Sequence, residues 1–555
     1  MDAATLIATI GGGGGDISFA TSAAACLVRH FALSVVVVRQ SGGESGATSA
    51  AFVRALAING ISASRDLRAF ASATRRADAL DFDDDCDGEV LRALHASPLP
   101  RLIVQAPLRL FHDAASAIAC IYASRPSLVV EPHNAHMVGK LDVMKSTRLI
   151  TLREFGMQYF CNEDRLGAES IDRSSGLGCG ELGIWAIQPP RLEAVDAVRS
   201  AVRGAMSKGL AGDNTALFVG YFRGATHCPM FMRLVVAAMR LRVAPVGCAS
   251  SGVRDAQGGD SPAAVRVRDG SSPCNAVCCM LGGDALLRGG VIERAAMSMP
   301  CVTSARAFFD HAGASKPTDP ISAVGSGVAS ADRWARGVAG GVELTIDVSP
   351  DIDVEGAASV AEGGNDRGAA ASPDADARGR HPHTLRLLLI IVDLDMLGDG
   401  LPLPLDDFRA VLAAATAAVV TGDGTLNEAL AFGTPFGYAA AGHKGGVASA
   451  LAAEAARGGA AADVVACLWA VLAPLRRTAQ GSACSDGQHS WSALRAAVSR
   501  YAVDTDKPCS IDAVTHADYH SLWRAVESAF RCWSSDVMSR KGHLSAELLR
   551  LADDG

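Results

Sequence analysis

The stretch AAVVTGDGTLNEALAFGTPFGY, residues 417–438, decides how this chain is read. A short apolar run over 418–420 reads as a strand, and Thr421, Gly422, Asp423 and Gly424 as the turn that ends it. A helix is expected from Thr425 to Phe432, stopped by Gly433, with a Thr-Pro pair and a further apolar segment behind it. Such a turn leaves backbone N–H groups and a hydroxyl at a helix start, which suits a diphosphate. Glu428, one turn further in, can reach a ribose or sugar hydroxyl.

Working outward, the same order of strand, glycine turn and helix opens the chain. Residues 6–24, LIATIGGGGGDISFATSAA, set an apolar run against five glycines, then one acid and a run of small residues. The glycines, Gly14 and Gly15 among them, either leave backbone N–H groups free to face an anion at the helix start or form only a floppy loop, and Asp16 stands at the helix start, either as a reactive carboxylate or as the helix cap. Across the first 200 residues, apolar runs such as SVVVV and RLIVQAPL alternate with alanine-rich helical patterns, and a second set begins with TALFVGYF near Asn214. The alternation predicts parallel sheets with helices on both faces.

At 555 residues and 49% hydrophobic content the chain exceeds one core, since single cores stop growing near roughly 250–300 residues. We expect a Rossmann-like domain over 1–205, a second over 213–495, and closing helices over 496–555. Low-complexity insertions near 250–272 and 313–383, poor in large apolar side chains, are expected to be disordered within the second domain. The net charge of −8 lacks the basic excess of a nucleic-acid binder. No apolar run approaches the roughly 20 residues of a membrane span, and the opening MDAATLIATI is not of signal type. The 15 cysteines are scattered, which fits reduced thiols in a soluble cytoplasmic protein.

The strand, TGDGT and EALAFGTPF together resemble the donor-binding signature of GT-B glycosyltransferases, and GGGGGDISFATSAA stands where that fold opens its acceptor domain. The start GDI followed by small residues is similar to the elongation-factor P arginine rhamnosyltransferases and the lipopolysaccharide heptosyltransferases. It also resembles the glycine loop of the peptidoglycan N-acetylglucosaminyltransferase, without that loop's histidine. The resemblance rests on these two islands. It implies two tandem Rossmann-like domains facing a cleft, and inverting transfer of a sugar from a nucleotide-sugar co-substrate without a metal. It places Asp16 as the catalytic base or its helper, and Thr421, Gly422, Asp423, Gly424, Thr425 and Glu428 around the donor. A protein side chain is the favoured acceptor, with a glycan or small molecule close behind. A non-catalytic binding protein and a UDP-sugar 2-epimerase are the alternatives.

Several further residues stand where such a cleft would be. His443 and Lys444 follow the donor segment and can neutralise phosphate. On the acceptor side, His133 in EPHNAH follows a predicted strand, though an ordinary turn histidine is the stronger reading, and Arg153 and Glu154 open a charged stretch with aromatics that a solvated helix explains just as well. The glycines Gly178, Gly180 and Gly183 have dinucleotide-motif spacing, but no strand is evident before them, so a flexible acceptor loop is expected. Cys274, Cys278 and Cys279 lack zinc spacing, and the DFDDDCDGE loop lacks a glutamate at its twelfth position. Asp393 and Asp395 end a strand as a D-x-D pair, either as a metal site or as an ordinary strand end leading into a helix.

Overall fold

The computed structural model describes residues 3–10, 14–39, 56, 67–70, 100–107, 149–153, 171–178, 180–207, 215–222, 224–243, 274–299, 301–309, 331–347, 384–397, 403–440, 445–473, 486–504 and 522–554. The first sheet is built from β1 (Ala3–Ile10), then helix α1 (Gly14–Leu27), β2 (Ala32–Arg39), β3 (Leu67–Phe70), β4 (Pro100–Pro107), β5 (Leu149–Arg153) and β6 (Ile171–Ser174). Its order is β3-β2-β1-β4-β5-β6 and every pairing is parallel. Successive strands run outward from β1 on one side and resume beside it on the other, so the order reverses between β1 and β4. Helix α1 leaves the carboxyl end of β1 at that reversal, beginning inside the glycine run at Gly14.

The second sheet follows α2 (Leu192–Ser207) and holds β7 (Ala216–Tyr221), α3 (Cys228–Val243), β8 (Cys274–Met280), α4 (Gly283–Arg288), α5 (Val291–Met297) and β9 (Val302–Phe309). Next come α6 (Ala331–Arg336), β10 (Val338–Asp347), β11 (Thr384–Asp393), α7 (Leu394–Leu397), α8 (Leu405–Ala414) and β12 (Ala417–Val420). They lead into α9 (Asp423–Phe432), β13 (Phe436–Tyr438), α10 (Gly445–Ala455), α11 (Ala460–Leu472), α12 (Asp486–Asp504), α13 (Leu522–Lys541) and α14 (Leu544–Asp553). The seven strands lie in the order β13-β12-β7-β8-β11-β10-β9, parallel except where β10 runs against both β9 and β11. The fold is thus mixed α/β, with a seven-stranded, mostly parallel sheet flanked by helices. The order reverses again, here between β7 and β12.

The continuous apolar strands are what a sheet covered on both faces requires. All four residues of β12 are buried, as are Leu387, Leu389, Ile391 and Val392 of β11. Each Val, Leu or Ile side chain among them contributes roughly 1.5–3 kcal/mol when fully removed from water. Helix α9 begins two residues before the expected start and ends where expected: Gly433 has φ 64°, its N–H donates to the Leu430 carbonyl and that of Thr434 to the Ala429 carbonyl. This pair of bonds is a Schellman cap, which glycine adopts without a Cβ penalty.

Three expectations are corrected. Residues 331–347 fall inside the expected insertion over 313–383, yet they form α6 and the sheet strand β10, with Trp334, Val342, Leu344 and Ile346 fully buried. The alternation of Val342, Leu344 and Ile346 offsets the local glycine content. Residues 250–272 and the remainder of 313–383 lie outside the described residues. The boundary at 495/496 cuts through α12, which is continuous from Asp486 to Asp504. A strand, β6, does precede Gly178, Gly180 and Gly183, but no helix opens there. The chain folds back instead, with the Gly176 N–H on the Gly183 carbonyl at 2.8 Å.

That fold-back is tied to the last two helices. The Lys541 ammonium donates to the Gly178 carbonyl at 3.0 Å, the Ile184 N–H to the Lys541 carbonyl at 2.7 Å, and the Leu544 N–H to the Ile184 carbonyl at 3.2 Å. Helix α13 packs on α3, α9 and α11 of the second sheet, whereas α14 touches α1 of the first. No described helix is long and apolar enough to cross a membrane.

Candidate functional site

Helices α1 and α9 each follow a strand that flanks an order reversal, the place where open α/β sheets bind ligands. The two helices pack against one another. Ser18 Oγ donates to Glu428 Oε1 at 3.0 Å, a bond between residues 410 positions apart. Arg409 Nε, from α8, donates to the same oxygen at 2.9 Å. Both sequence islands therefore meet at one carboxylate. Ser18 Oγ closes the gap from α1, and Ser22 Oγ, one turn on, donates to the Ser18 carbonyl at 2.8 Å.

Glu428 is 1% exposed, and burial pushes its carboxyl above the usual glutamate range. The Arg409 charge and the hydrogen bonds from Arg409 and Ser18 pull it back down, and Asp406 adds a smaller upward push. Asp423, Thr425 and Asn427 on the same helix are also buried. Both side-chain atoms of Asn427 and the Thr21 hydroxyl of α1 are buried with no hydrogen-bond partner among the described residues. Native interiors hold few such groups.

At the start of α9 the cap position is Gly422, which has no side chain to offer the first-turn N–H groups. A Cβ on Gly422 would meet nothing within 4 Å among the described residues. Thr421 does not offer its hydroxyl there: Oγ1 donates to the Tyr221 carbonyl at 3.1 Å, stitching the end of β12 to that of β7 across the reversal. Gly424 and Thr425 lie buried in the first turn.

On the first sheet, Gly14, Gly15 and Asp16 are the first three residues of α1, with Asp16 two positions before Ser18. Arg153 ends β5, in register with Ser174 of β6. His133, Glu154, His443, Lys444 and the acidic loop at 81–89 lie outside the described residues. Asp393 caps two helices, its Oδ2 accepting the Asp284 N–H at 3.1 Å and its Oδ1 the Asp395 N–H at 2.9 Å. Cys278 and Cys279 are core residues of β8 whose thiols burial pushes well up. Among the described residues no group of three or more His, Cys, Asp or Glu is arranged to hold a metal.

Sequence reading missed Ser18, Arg409 and His227. Ser18 sits in a run of small residues, and Arg409 reads as one charge on the amphipathic helix DDFRAVLAAA. His227 closes a short 3-10 turn just beyond β7, and burial lowers its pKa, with no partner for its buried Nδ1 among the described residues. No protein-family model and no curated protein matches this chain.

Proposed function

We propose that this chain is an inverting glycosyltransferase of GT-B type that moves a sugar from a nucleotide-sugar to an acceptor, with a protein side chain the favoured acceptor. The observation that carries the reading is the Ser18–Glu428 bond, which joins the helix after the glycine run to the helix after TGDG. Each island alone is a common turn; their meeting, each beside an order reversal, is what a two-sided cleft needs. The first-turn N–H groups after Gly422 receive the diphosphate and stabilise it as it departs. Glu428 takes a donor hydroxyl, and Asp16, in the first turn of α1, takes the acceptor's proton. The nucleotide-sugar is a co-substrate, and the reading needs no resident cofactor.

A specific observation favours a second reading, a non-catalytic binding protein: Glu428 already has two donors and is 1% exposed. Calorimetry of the full chain against UDP-, GDP- and dTDP-sugars separates the two. Saturable binding to one of them, lost in Glu428→Ala and kept in Asp16→Asn with turnover abolished, is the expected result. Binding with unchanged product formation in Asp16→Asn removes the base assignment. Release of free or epimerised sugar without an acceptor points to the 2-epimerase alternative.

A further inference from the structure

We propose that Arg409 and Ser18 are positioning residues: from two different helices they converge on Oε1 of Glu428 and fix the carboxylate, leaving Oε2 as the oxygen offered to a ligand hydroxyl. The proposal rests on the reading of Glu428 as a donor-site residue. The geometry is closed around Oε1, because the Arg409 side chain is 12% exposed, that of Glu428 1%, and Ser18 3%. A charge-assisted bond from Nε in such a setting is strong and directional. Helix α8, which carries Arg409, is itself tied to the end of α9, where Thr434 Oγ1 donates to the Leu412 carbonyl at 3.1 Å. Arg409 and Glu428 therefore sit on two helices tied to each other, and Ser18 comes to them from the helix that follows β1 of the other sheet.

The charged surroundings of Glu428 set the sign of the test. From α8, Arg409 attracts and Asp406 repels. From α1 the described neighbour is the Ser18 hydroxyl, and from α13 Arg531 packs at Gly433, the far end of α9. Burial raises the folded-state proton affinity of Glu428, so its contribution to stability is full at acid pH and is lost as pH rises through the folded value. Removing Arg409 deletes the main downward influence, which moves that loss to higher pH and deepens it.

Thermal unfolding of the full chain should be followed from about pH 5 to about pH 8 for wild type, Arg409→Gln, Arg409→Lys, Glu428→Gln and the Arg409→Gln/Glu428→Gln double variant. The deficit of Arg409→Gln is expected to widen steadily with pH, to narrow in Arg409→Lys, and to lose its pH dependence when Glu428 is Gln. A packing role alone gives a deficit constant across pH, and that outcome, or one unchanged in the Glu428→Gln background, overturns the proposal. Ser18→Ala is expected to be non-additive with Glu428→Gln; full additivity overturns the Ser18 part. UDP-glucose, GDP-mannose and dTDP-rhamnose serve as ligand probes, and whichever binds wild type should bind Arg409→Gln roughly tenfold more weakly at the alkaline end, the equivalent of one charge-assisted hydrogen bond. If none binds wild type the donor reading falls, while the pH-dependent deficit still decides whether Arg409 positions Glu428. Equal affinity of wild type and Arg409→Gln overturns the positioning role and leaves the donor reading standing.

Discussion

Two seams of opposite chemistry meet around helix α9. Between α1 and α9 the contact is polar, with Ser18, Glu428 and Arg409 in one hydrogen-bonded knot and the Thr21 hydroxyl buried one turn along from Ser18. Where α13 covers the sheet edge, the contact is aromatic: Phe436, Trp469, Phe530 and Trp533 have ring centroids 5.3 Å to 6.4 Å apart, in tilted and edge-to-face pairs. The Trp469 indole also donates to the Phe436 carbonyl at 2.7 Å. Apolar burial tolerates small misfits, whereas a buried polar knot contributes only while every partner is in place. The aromatic seam is indifferent to charge, whereas the polar one answers to charge and pH.

The largest test of that contrast is Phe530→Ala, which opens a cavity in the aromatic seam and should cost about 3–5 kcal/mol, equally at acid and alkaline pH, in urea unfolding. A strong pH dependence in that variant would break the distinction. Ser18→Ala comes next: loss of a bond to a buried carboxyl group should cost about 1–3 kcal/mol, read from the same unfolding curves. Gly433→Ala should cost about 1–2 kcal/mol, because φ is 64° and the new methyl would stand 3.1 Å from Arg531 Cα, stressing the link between α9 and α13. The smallest effect has the opposite sign. Thr21→Val removes a hydroxyl that has no partner among the described residues, so thermal unfolding should show no loss and a gain of up to about 1 kcal/mol. A loss of several kcal/mol there would mean that the hydroxyl has a partner, and the seam would then resemble an ordinary satisfied core.

Much of the architecture was legible from period and punctuation. The apolar run ending at Val420, the turn, and Gly433 mark β12, α9 and its cap to within two residues, since a Schellman stop needs a glycine and a buried parallel strand needs unbroken apolar residues. The site was only half legible. Glu428 stood out because it lies one turn inside a glycine-bearing turn, but its two partners did not. Ser18 is a small residue among small residues, and it becomes informative only when the two sheets bring 410 positions of sequence separation down to 3.0 Å. Arg409 belongs to a helix whose charge pattern looks solvated, and its value comes from which oxygen it meets. The strand at 338–347 was hidden for a related reason: a strand carrying two adjacent glycines, Gly340 and Gly341, composes like a linker.

The crossing of α13 to α14 has a consequence for synthesis. Helix α1 is made long before α14, yet part of its surface is covered by that helix, with Cys26 Sγ donating to the Ser545 carbonyl at 3.7 Å and Leu544 and Leu548 fully buried. Translation adds about 5–20 residues per second, so α1 waits some tens of seconds or more for its last layer. During that interval the first sheet carries an uncovered patch on a nascent chain, which makes this half the one that a chaperone has most time to hold.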